Sequence, residues 1–104
     1  MATLSLTALT CLRQQDVTGL DEWEVWVDGK LVLNGSIDKG ETKNLAPKTV
    51  PVGTTTKVAV KEANKNNSKQ IGNTITLDVA HPAPQPLDFK TSGAHYELFC
   101  SLSA

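Results

Sequence analysis

Residues 4–29, LSLTALTCLRQQDVTGLDEWEVWVDG, restrict the fold more than any other stretch, because they hold two apolar runs with a period of two. Leu4 and Leu6 alternate with Thr3, Ser5 and Thr7, and Trp23, Val25 and Val27 alternate with Glu22, Glu24, Trp26 and Asp28. Successive strand side chains point to opposite faces, so each run is a half-buried strand. The phase of the first run slips at Ala8-Leu9, which predicts a bulge that turns Leu9 and Cys11 inward. The second run closes on Asp28-Gly29, a dipeptide that accepts positive φ and suits a two-residue hairpin turn. Between the runs lies a loop over 13–21 that carries Asp16, Gly19 and Asp21.

The same reading along the chain predicts strands over 3–12, 21–27, 30–33, 54–62, 73–80 and 94–103, with a brief edge strand over 41–46. Asn34-Gly35 and Lys39-Gly40 are expected to bracket a connection, and Pro47 and Pro51 to discourage pairing after the edge strand. Lys57, Lys61, Lys65 and Lys69 recur at helical spacing, yet Asn64, Asn66, Asn67 and Ser68 are loop residues, and a loop is the expectation there. Residues 81–86, HPAPQP, are expected to be extended. The sum is an all-β chain without substantial helix. It is a two-sheet antiparallel β-sandwich of about seven strands, of jelly-roll or C2-like type, with residues 1–104 as one domain.

A formal net charge of −1 argues against a general nucleic-acid binder, since phosphate-tracking proteins carry a basic surplus. No run of apolar residues has the length a membrane-spanning helix needs, and the opening residues lack a basic signal-peptide start. These features predict a soluble protein, cytoplasmic or released to the cell surface without a signal peptide. Cys11 and Cys100 lie near the two ends of the sequence, so a disulfide and two buried thiols are both open at this point.

No Gly-x-Ser-x-Gly, His-Glu-x-x-His or Cys-x-x-Cys pattern occurs, and His95 and Cys100 fall on opposite faces of one strand. Catalysis is therefore not expected. Binding chemistry has better candidates. Sugar rings stack their C–H faces on aromatics and direct their hydroxyls to amides and carboxylates, and Trp26 beside Glu24 and Asp28 supplies such a set. Trp26 is also suited to plugging a gap under a covering loop. Asn64, Asn66 and Asn67 add further amides on the later loop.

Two resemblances follow from these residues. Leu4-x-Leu6 through Asp16-x-x-Gly19-x-Asp21, and Val58 to Asn64 followed by Ser68-Lys69-Gln70-Ile71-Gly72, resemble the first and later loop regions of C2-type sandwich modules. That resemblance implies Asp16, Asp21 and Glu62 as calcium ligands, with Asn64 in the next place. Ser68 and Lys69 stand where further acids would be expected, so a single weak calcium site and a loop that has lost the metal are both open. The run CLRQQDVTGLDEWEVWVDGKLV is similar to the slime-mould (Physarum) haemagglutinin-type lectins, compact β-sandwiches of minimal legume-lectin-like or C2-like shape. This second likeness implies a lectin that binds glycans of glycoproteins and cell surfaces. Agglutination would then require two sites per particle, through a homodimer or two sites on one domain. A C2-like calcium and phospholipid module is the alternative.

Overall fold

The computed structural model describes residues 2–13, 21–63, 68–81, 85–91 and 93–104. In chain order the strands are β1 (Ala2–Arg13), β2 (Asp21–Val27), β3 (Lys30–Ile37), β4 (Thr42–Val52), β5 (Thr55–Ala63), β6 (Ser68–Asp78), β7 (Leu87–Lys90) and β8 (His95–Ser103). They form two four-stranded sheets, ordered β4-β1-β8-β7 and β3-β2-β5-β6, and every pairing is antiparallel. The β-sandwich is thus present, with eight strands among the described residues where about seven were expected. No helix among the described residues is long and apolar enough to cross a membrane.

Alternation places the core between the sheets. Leu4, Leu6, Leu9 and Cys11 of β1, Tyr96 and Leu98 of β8, and Phe89 of β7 face Trp23 and Val25 of β2 and Val58 and Val60 of β5, all buried. The inward set of β1 shifts from even to odd numbers because the ladder skips Thr7, which donates its hydroxyl to the Phe99 carbonyl (2.9 Å). This is the bulge that the phase slip predicts.

Three local expectations need correction. Asn34-Gly35 is not a connection but the middle of β3, where Gly35 lies opposite Trp23. A Cβ on Gly35 would stand 2.9 Å from the Trp23 ring, so the indole occupies the space a side chain would need. Second, β4 continues through both prolines. It is an edge strand, where alternate N–H groups point to solvent and proline loses nothing. Pro47 sits in an irregularity of the ladder beside Ala46, whose φ of 90° is braced by a bond from its N–H to Asn44 Oδ1 (2.9 Å). Third, β7 was not expected. Its four residues are enough because Gln85 extends the edge with its side chain, Oε1 accepting from the Cys100 N–H (2.9 Å).

The open question about the cysteines is settled by register. β1 and β8 are neighbours, but Cys11 lies opposite Tyr96 while Cys100 lies opposite Leu6. Four residues of β8, from Tyr96 to Cys100, hold the two cysteines about 13 Å apart along the strands. Both are buried thiols, and burial pushes the Cys100 thiol up to about 11.

Candidate functional site

Register brings one end of the β3-β2-β5-β6 sheet into focus. Asp21 pairs with Ile37, Trp23 with Glu62, and Ala63 with Ser68. The connection over 14–20 enters β2 at this end, and the connection over 64–67 leaves β5 and enters β6 at the same end. Asp16, Asn64, Asn66 and Asn67 lie outside the described residues. Their attachment points at Asp21, Ala63 and Ser68 nevertheless share one pole of the sandwich.

A groove of about 270 Å³ opens at this pole, lined by Glu22, Trp23, Glu24, Asn34, Gly35, Ser36 and Ala63. Its polar side chains come from direct cross-strand pairs: Glu22 faces Ser36 and Glu24 faces Asn34. Alternation puts all four on the outward side of the sheet, opposite to buried Trp23 and Val25. Two carboxylates, one amide and one hydroxyl thus converge on one concave surface. Such a set accepts and donates hydrogen bonds to several hydroxyls at once.

Trp26 borders this surface two residues along β2. Its indole N–H donates to Glu24 Oε1 (3.0 Å), and the Lys61 ammonium lies 4.2 Å from the ring centroid. Lys61 stands opposite Glu24 on β5, so cation, carboxylate and indole form one cross-strand cluster. The face of the ring beneath Lys61 is occupied by a cation–π contact and is not free for a sugar. Trp26 therefore orients Glu24 from beside the groove, whose lining it does not join.

Asp28 serves a different end. Its φ of 51° and that of 79° at Gly29 form the expected hairpin turn. Its carboxylate accepts from the hydroxyl of buried Thr56 (2.8 Å) and from the Lys57 N–H (2.8 Å). Both oxygens are committed to β5, so the structure does not add Asp28 to the Glu24 and Trp26 set.

Of the three calcium-ligand candidates, Glu62 is buried on the inner side of β5 at 2% exposure, directly opposite Trp23. The Asp21 backbone stands two residues further along β2 toward the pole. Trp23 is itself 4% exposed, and its indole N–H has no hydrogen-bond partner among the described residues. A buried unpaired donor is unfavourable by about 1–3 kcal/mol.

Sequence reasoning singled out Glu24 and Trp26 but missed Glu22, Asn34 and Ser36 as groove residues. Ending the third strand at Leu33 hid them. Carried on to Ile37, the same alternation places Asn34 and Ser36 across from Glu24 and Glu22.

Comparison with known proteins adds no relative: no family model matches the chain, and neither a curated protein nor a solved structure does.

Proposed function

We propose that the chain is a carbohydrate-binding protein, a lectin whose glycan site is the groove lined by Glu22, Glu24, Asn34 and Ser36. The observation that carries this reading is the convergence of two carboxylates, an amide and a hydroxyl on one small concavity. Small-molecule clefts span about 300–1,000 Å³, so a groove of about 270 Å³, just below that range, suits a terminal sugar ring with the rest of the glycan in solvent. Glu24 is pre-oriented by Trp26, which lowers the ordering cost of binding. Glycans of glycoproteins or cell surfaces are the implied partners.

A broad glycan array probed with the full chain, once with calcium and once with chelator, tests the reading. Saturable binding to a defined glycan set is the expected result. Loss of that binding in chelator would add the Asp16, Asp21 and Glu62 set to the site as a calcium centre, whereas retention would leave the groove sufficient alone. Absence of binding to any glycan overturns the proposal.

A further inference from the structure

On the opposite sheet, away from the groove, Asp88 of β7 and His95 and Glu97 of β8 bring three ligand atoms within 4.8 Å of one another. Asp88 lies directly across from Glu97, and Lys90 across from His95, so His95 is diagonal to Asp88. Its Nε2 is 2.8 Å from Asp88 Oδ1. All three project outward, alternating with buried Phe89, Tyr96 and Leu98.

We propose that Asp88, His95 and Glu97 form a surface site for a borderline transition-metal dication, of which zinc is the type. The reasoning begins with charge. Two carboxylates directly opposite on adjacent strands destabilise the pairing, and a cation beside them relieves it. An imidazole supplies that cation only when protonated. Arg13 and Lys90, both next to His95 in register, are exposed, and among the described residues neither makes an ion pair with Asp88 or Glu97.

Donor type then selects the metal. Calcium takes six to eight oxygens, whereas one imidazole nitrogen with two carboxylate oxygens is a set that zinc accepts, leaving its fourth position to water. Ligands at about 2.1 Å from a tetrahedral ion stand about 3.4 Å from one another. The observed spread reaches this by small side-chain rotations, for which the exposure of Asp88 leaves room. The paired strands beneath keep the three Cα positions fixed, so binding orders little that is not already ordered.

Calorimetric titration of the full chain with zinc chloride at pH 7.5 is the test, repeated on His95→Asn and Glu97→Gln, with thermal melts of each metal-free protein. One zinc per chain with micromolar affinity is expected, at least tenfold weaker in either variant while the melting temperature holds. Should either variant fold poorly, Asp88→Asn, the most exposed member, takes its place. No saturable zinc uptake overturns the site. So does undiminished uptake in His95→Asn, which would place the metal elsewhere on the chain.

Discussion

The two ends of β2 treat polar groups in opposite ways. At the hairpin end, Asp28 gives both carboxylate oxygens to Thr56 and Lys57, and nearby Asp78 accepts from Thr55 and from the Ala80 N–H. At the other end, Trp23 buries an indole N–H without a partner among the described residues, and Glu22, Asn34 and Ser36 line a groove instead of bracing a strand. The same strand therefore carries a polar cluster used for folding and another left for solvent or a ligand. The contrast separates stability from binding, and substitutions at the two ends should separate them too.

The largest effect on stability is expected from Gly35→Val. Its Cβ would meet the Trp23 ring at 2.9 Å, and overpacking of this kind costs about 3 kcal/mol. Chemical denaturation should show a clear fall in midpoint, and an unchanged midpoint would mean that Trp23 does not rest on Gly35. Next is Asp28→Ala, which strands the buried Thr56 hydroxyl and should destabilise by about 2 kcal/mol, with glycan binding unaltered. Loss of binding in that variant would erase the distinction between the two ends.

The reverse pattern is predicted for Asn34→Ala and Glu24→Gln, which change an exposed and a half-buried side chain on the outer face. Each should weaken glycan binding roughly tenfold, equivalent to about 1.4 kcal/mol, and shift stability by less than about 0.5 kcal/mol. Smaller still is a pH effect at the hairpin end. The bonds from Ala80 and Thr55 hold the Asp78 carboxyl below its ordinary value of 3.8. A depressed folded value gives stability that is present above the unfolded value and lost as pH falls through the folded one. Thermal melts below about pH 4 should therefore fall less steeply for Asp78→Asn than for the parent.

Period-two patterning made the sandwich legible, because one face of almost every strand is buried. Even the bulge at Thr7 left its mark, as a change of phase from Leu6 to Leu9. What patterning obscured was tied to glycine and proline. Asn34-Gly35 has the composition of a turn, and only the Trp23 ring lying over it explains a glycine inside a strand. Pro47 and Pro51 would break an interior strand, but sequence does not say which strand is an edge. β7 was hidden by its brevity, although Leu87 and Phe89 alternate with Asp88 and Lys90 as strand residues should.

The site was legible to the same extent as the strands that build it. Glu24 and Trp26 stood out as an aromatic among carboxylates, while their cross-strand partners went unseen with the end of β3. The fate of Asp28 was also beyond local reading, since its partners lie on β5, 28 and 29 residues away. The first loop and the asparagine-rich loop lie outside the described residues, and what the pairings of Trp23 with Glu62 and Ala63 with Ser68 place at one pole is the strand ends to which they attach.

The most direct test of the central claim is a titration of the isotopically labelled chain with the glycan that an array ranks highest, followed through backbone amide shifts. The glycan groove predicts that the largest changes fall on Glu22, Glu24, Asn34 and Ser36, with Asp28, Thr56 and Lys57 little moved. Shifts confined to the hairpin end or to the β4-β1-β8-β7 sheet would contradict it.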